Sequence, residues 1–167
     1  GFPAKQSMLM PSASAIRQCN FELNNKPMSS LQLNAIEFPA FSGMGSHINQ
    51  RLSTCVRSQG PIPQGEYLVL DRQSGGRLGW LYDLFNNRDD WFALYAIDSN
   101  IDDATWCEQV KRGKFRLHPK GPSGLSEGSI VIDKLQDFVH LRTMLRSGKP
   151  LETPEKDILA WARLVVR

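Results

Sequence analysis

Over much of the chain hydrophobic and polar positions alternate with a period of two, the pattern of strands with one buried face. Phe21 and Leu23, then Leu31 and Leu33, alternate on either side of Asn24-Asn25-Lys26-Pro27, a turn-forming cluster. Ile36-Glu37-Phe38-Pro39-Ala40-Phe41 is a further apolar stretch that runs into a loop, Ser42-Gly43-Met44-Gly45-Ser46. In Gly60-Pro61-Ile62-Pro63-Gln64-Gly65-Glu66-Tyr67 two prolines fix φ and remove donors, which predicts a rigid extended connector leading into a strand over 67–70. Residues 91–97, 115–118 and 130–132 predict further strands, and residues 78–85 fit a short helix or a buried strand equally well. Residues 98–103 and 119–128 have the composition of loops.

The period changes once. Leu135, Phe138, Leu141 and Leu145 recur at helical spacing, with Asp133 placed to cap the helix and Ser147-Gly148 and Pro150 to stop it. After a charged linker, residues 159–166 predict a closing strand. The expectation is a mostly β protein (β-rich α+β) with one main helix, formed by residues 20–167 behind an N-terminal arm or linker at 1–19.

Composition narrows the function. A chain of 167 residues fits one domain, and its ordinary hydrophobic and charged fractions exclude extensive disorder. No apolar run approaches the ~20 residues of a membrane-spanning helix, so no membrane insertion is expected. A net charge of +3 permits an acidic partner or an anionic cell-wall polymer, while the scattered Lys and Arg argue against nucleic acid. Cys19, Cys55 and Cys107 form no CxxC pair or Cys/His ladder, which argues against a metal site; they fit one disulfide plus a free thiol, or three buried thiols. No phosphate-binding glycine loop is present, and no cofactor is expected. Gly1-Phe2-Pro3 reads as a processed or recombinant end rather than a signal peptide.

Chemistry concentrates in residues 115–132. His118 ends a strand, and Ser129 lies eleven residues downstream on a turn opened by Gly128. Nucleophilic catalysis needs a nucleophile within reach of a base and donors aimed at the developing oxyanion, often backbone N–H groups of a tight turn. On spacing alone, a Gly/Ser loop with a packing histidine is the plainer reading.

Three segments together carry a resemblance: Phe38-Pro39-Ala40-Phe41-Ser42-Gly43 followed by Asn49, the Gly60–Tyr67 segment, and Phe115-Arg116-Leu117-His118-Pro119 through Ser126-Glu127-Gly128-Ser129-Ile130. They resemble the Tlde1 family of bacterial type VI secretion effectors, which is related to the L,D-transpeptidases of the YkuD type. The second segment is similar to the family's GPIPxGxY, and the third to a catalytic His followed by S-x-G-C-[IV]. The resemblance covers about residues 20–166. It implies a YkuD-like β-sandwich or barrel and action on peptidoglycan stem tetrapeptides in the periplasm of a target bacterium, as L,D-carboxypeptidase or L,D-transpeptidase. It also implies a cognate immunity protein.

By that resemblance His118 and residue 129 are catalytic, Gly128 and Ser126 shape the oxyanion loop, and Ser42, Gly43, Tyr67 and Arg116 border the substrate. The departure is Ser129, where the family has a nucleophilic Cys. A thiol with a pKa near ~8.5 yields thiolate readily, whereas an alkoxide is much harder to form. The substitution fits a deliberate disarming replacement, a natural inactive relative, or a working serine enzyme. A non-catalytic peptidoglycan-binding module of the same fold is the competing function.

Several of these residues also have plainer roles. Tyr67 on a strand suits a core position, Arg116 a solvated one, and Ser126 a turn. His47 suits an exposed loop and His140 an exposed or structural helix position, while Trp80, Trp91, Trp106 and Trp161 suit packing.

Overall fold

The computed structural model describes residues 17–71, 91–97, 104–121, 128–152 and 159–167. Most of the arm, the 78–85 and 98–103 segments, Trp80 and Ser126 lie outside the described residues.

The alternating segments become strands of one closed barrel. These are β1 (Gln18–Phe21), β2 (Ser29–Leu33), β3 (Ile36–Ser42), β4 (Gly65–Asp71) and β5 (Phe92–Ala96). A hairpin follows, β6 (Ala104–Cys107) and β7 (Val110–Gly113), and then β8 (Arg116–Pro119) and β9 (Ile130–Ile132). Helix α1 (Leu135–Arg146), a short pair β10 (Leu151–Glu152) and β11 (Leu159–Ala160), and β12 (Ala162–Val166) complete the order. Eight strands close the barrel in the order β9-β3-β2-β1-β12-β4-β5-β8, with β8 pairing back onto β9. The β8–β9 and β12–β1 pairs are parallel and the rest antiparallel.

Successive side chains of a strand point to opposite faces, so the barrel has a filled interior and an outer face. Tyr67 and Val69 of β4 join the interior core with Phe21, Leu31, Phe38, Leu94, Leu117, Ile130, Ile132 and Leu164. Leu68 and Leu70 point the other way and pack outside with Ala93 and Ala160. Helix α1 adds Phe138, Leu141 and Leu145 to the interior core. Its sequence-predicted fourth apolar position differs: Leu135 is 62% exposed, because the first turn lies beyond the packed stretch. Asp133 is not the cap. Lys134 occupies that position without a side-chain hydrogen bond, and the Asp133 N–H donates instead to the Pro39 carbonyl (2.9 Å).

Gln18 and Cys19 already pair in the barrel, opposite Arg163 and Leu164. The cysteines resolve into one disulfide, Cys55–Cys107, and one buried thiol, Cys19. Burial pushes the Cys19 thiol up to about 12, with Arg17 opposing the shift. The folded state therefore keeps the proton at pH values where the unfolded chain loses it. Stability is expected to fall as pH rises above about 9, the ordinary thiol value, and Cys19→Val should remove that share of the slope in urea titrations. Native Cys19 should also resist iodoacetamide at pH 8 and react once urea unfolds the chain.

The hairpin β6–β7 is absent from the sequence-based expectation. Trp106 on it is 66% exposed and does not serve as a packing anchor. Trp161 does: its Nε1 donates to Asp71 (2.9 Å), and Arg146 lies over its ring at 5.0 Å.

Candidate active site

The register of the β8–β9 pair places the candidate residues. Ile130 pairs with Leu117 and Val131 with His118. Leu117, Ile130 and Ile132 fill the interior, so their neighbours in sequence, Arg116, His118, Ser129 and Val131, take the outer face. On the other side of β9, Val131 pairs with Phe41. Phe41, Val131 and His118 thus form one row across three strands, all buried. Ser129, two residues before Val131 and just ahead of β9, lies diagonally across this register from His118. Both are largely covered, His118 at 7% exposure and Ser129 at 8%.

The histidine is held on two sides. Its Nδ1 is 2.8 Å from the Pro119 carbonyl oxygen. A carbonyl only accepts, so Nδ1 carries the proton and, in the neutral ring, Nε2 keeps the lone pair a base needs. Trp91 stacks on the imidazole, with centroids 4.1 Å apart and planes 16° from parallel. A stacked indole fixes the ring plane. The stacking role of Trp91 was not visible in the sequence, since it depends on the antiparallel β5–β8 register that sets the residue before β5 against the end of β8.

Ser129 Oγ accepts a hydrogen bond from the Arg116 backbone N–H (3.1 Å). That donor would favour the anionic form of a nucleophile at this atom. The Arg116 side chain donates to the Phe115 carbonyl (2.8 Å) and is half-buried.

The three motif segments meet at Ser42. This fully buried hydroxyl donates to the Gly128 carbonyl (3.3 Å) and accepts from the Ile62 N–H (2.9 Å). It thereby joins the Phe38–Ser42 strand, the proline connector and the turn before Ser129. Asn49 supports it: its Oδ1 accepts from the Ser42 N–H (2.9 Å), and its own N–H donates to the Ser42 carbonyl (2.8 Å). Gly43 lets the two loops close, since a Cβ there would meet the His47 carbonyl oxygen at 3.0 Å and the Pro61 nitrogen at 3.1 Å. Ser42 and Gly43 are thus the frame of the site. Tyr67 belongs to the interior, with its hydroxyl donating to the Pro63 carbonyl (2.6 Å) and its ring edge-on to Phe115. Ser42→Ala leaves the buried Ile62 N–H without its acceptor. It is expected to cost about 1–3 kcal/mol, read from the midpoint of urea unfolding at unchanged slope.

One contributor has no counterpart in the sequence reading. Arg112 of β7 is 4% exposed, and it donates to the carbonyls of Thr54, Gly60 (3.0 Å) and Pro61 (3.3 Å). Its guanidinium carbon lies 5.4 Å from the Phe115 ring centroid. A buried arginine among carbonyls leaves no periodicity or motif to read.

The sequence model of the Tlde1 domain matches residues 36–156. The chain belongs to the Tlde1 domain family. No curated protein and no solved structure matches it. Membership makes the chain a domain related to type VI secretion effectors, and the matched span contains all three motif segments. Among the described residues of this Tlde1 domain, no helix is long and apolar enough to cross a membrane. Nor do three or more His, Cys, Asp or Glu residues gather among them in a way that could hold a metal ion.

The remaining histidines stand apart from this row. His47 Nδ1 lies 2.8 Å from Ser53 Oγ, and His140 meets Phe38 edge-on at 5.6 Å.

Proposed function

We propose that this Tlde1 domain is the catalytic part of an antibacterial effector that trims or exchanges the fourth residue of peptidoglycan stem tetrapeptides. In this reading position 129 is the seat of a cysteine nucleophile, and the present chain, with Ser129, is its disarmed form. The observation that carries the reading is the shared outer face of His118 and Ser129, with Nε2 of the imidazole left as the basic nitrogen.

The chemistry follows from those positions. A thiol at 129 gives its proton to His118 Nε2, and the sulfur attacks the carbonyl between the third and fourth stem residues. The C–N bond breaks, His118 returns the proton to the departing D-alanine amine, and a thioester remains. Water then yields the tripeptide, or the amine of a D-amino acid yields an exchanged tetrapeptide. Backbone N–H groups at Gly128 and residue 129 hold the oxyanion. Arg116 would supply the positive charge that meets the carboxylates of the stem. Action in the target periplasm and a cleft-blocking immunity protein complete the proposal.

Ser129 itself favours a second reading, a peptidoglycan-binding module that keeps the fold without turnover. The test is Ser129→Cys directed to the periplasm, with muropeptides analysed for trimmed or exchanged tetrapeptides. Binding of muropeptides by the Ser129 protein without turnover by the variant would select the second reading. Labelling of Ser129 by a fluorophosphonate probe would instead identify a serine hydrolase.

A further inference from the structure

The hairpin β6–β7 is a two-stranded sheet separate from the barrel, yet it reaches the nucleophile turn. Cys107 at the end of β6 is bonded to Cys55, next to Thr54. Arg112 on β7 grips the carbonyls of Thr54, Gly60 and Pro61. The same guanidinium abuts Gly128, where an added Cβ would lie 2.6 Å from Nη2, the nitrogen that donates to Gly60. One side chain therefore touches the disulfide-bearing loop and the turn that presents residue 129.

A buried cation held by backbone carbonyls stays in place only while those carbonyls stay put, because water is the better solvent for a charge. Cys55 supplies the covalent tie that fixes the first of them relative to the hairpin. Without that tie the loop regains conformational freedom, and the guanidinium can leave. Gly128, at φ +105° and packed against Arg112 and Phe115, would then lose a wall of its pocket.

We propose that Arg112 is a positioning residue for the nucleophile turn, clamped by the Cys55–Cys107 disulfide, so that the site is assembled in an oxidising compartment and slackened in a reducing one. The proposal rests on the reading of the Gly128–Ser129 turn as the nucleophile turn. The switching step is thiol–disulfide exchange with a dithiol. The Cys55–Cys107 bond accepts two electrons and two protons to give two thiols, and the dithiol closes to its own disulfide. A secreted effector made in a reducing cytoplasm would be slack where it is made and tight where it acts.

The test uses the Ser129 protein itself, without substrate, before and after reduction with dithiothreitol. Amide hydrogen exchange at Gly128, Ser129 and Ile130 is expected to speed up at least about 10-fold, with a shift of the His118 ring resonances. Barrel amides such as Leu94 and Val165 should keep their protection. The Cys55→Ser/Cys107→Ser protein should reproduce this without reductant. Arg112→Gln should reproduce it in the oxidised protein, and Arg112→Lys should restore part of the protection. Unchanged exchange at 128–130 on reduction would overturn the proposal, as would equal loss of protection across the whole barrel, the mark of a general staple. Neither readout depends on turnover, so the proposal and the enzymatic reading fail separately.

Discussion

Ser129→Cys is expected to convert this protein into one that kills cells from the periplasm and leaves stems shortened to tripeptides, with D-alanine released. Added D-amino acid should divert part of the product to exchanged tetrapeptides. Oxygen and sulfur differ here in how readily each gives up a proton: a thiol near ~8.5 is partly ionised near neutrality with a base beside it, and a serine hydroxyl is not. The surroundings of position 129 suit the anion, with the Arg116 N–H already donating to Oγ. Adding His118→Ala to Ser129→Cys should lower turnover by about 10²–10⁴-fold, the usual share of a general base. Trp91→Ala should act through the same imidazole and lower it less, because the Pro119 carbonyl still fixes the tautomer. Intact stems and healthy cells, with the variant folded and exported, would refute the catalytic reading.

Gly128→Ala is expected to damage the frame of the site strongly. A Cβ there would lie 2.6 Å from Arg112 Nη2 and 2.8 Å from Phe115 Cε1, and φ is +105°. The strained backbone costs about 1–3 kcal/mol and the overpacking a similar amount, so a loss of about 2–6 kcal/mol is expected in chemical denaturation. Gly121→Ala is the control: nothing lies within 4 Å of its Cβ, and its stability should change by less than about 0.5 kcal/mol. Equal effects at both positions would mean that the turn tolerates a side chain and is not tightly packed.

The strands were legible wherever burial has a strict period. Phe21, Leu31 and Leu33 sit on one face of β1 and β2, and their alternation survives into the barrel interior. Helix α1 was legible from Phe138, Leu141 and Leu145, while Leu135 misled because an apolar residue in a first turn need not be covered. The hairpin β6–β7 was illegible, since Trp106 faces outward and Arg112 inward, the reverse of what hydropathy predicts. At the site, the motifs named His118, Ser129 and Gly128, and the parallel register sets the first two on one face. The motifs could not tell frame from substrate contact. Ser42 and Tyr67 both sit in matched segments, yet their hydroxyls are used on Gly128 and Pro63. The Ser42 partner is 86 residues away and carries no local signal, and the Tyr67 partner is a backbone carbonyl that no side-chain pattern marks.

The last barrel strand is an inner one. β12 lies between β1 and β4, and Leu23 and Phe21 exchange backbone hydrogen bonds with Arg167. During synthesis the ribosome therefore delivers seven of the eight staves before the one that closes the ring. Until then β1 and β4 each show an open edge, which makes closure of the nascent chain dependent on slow, long-range pairing.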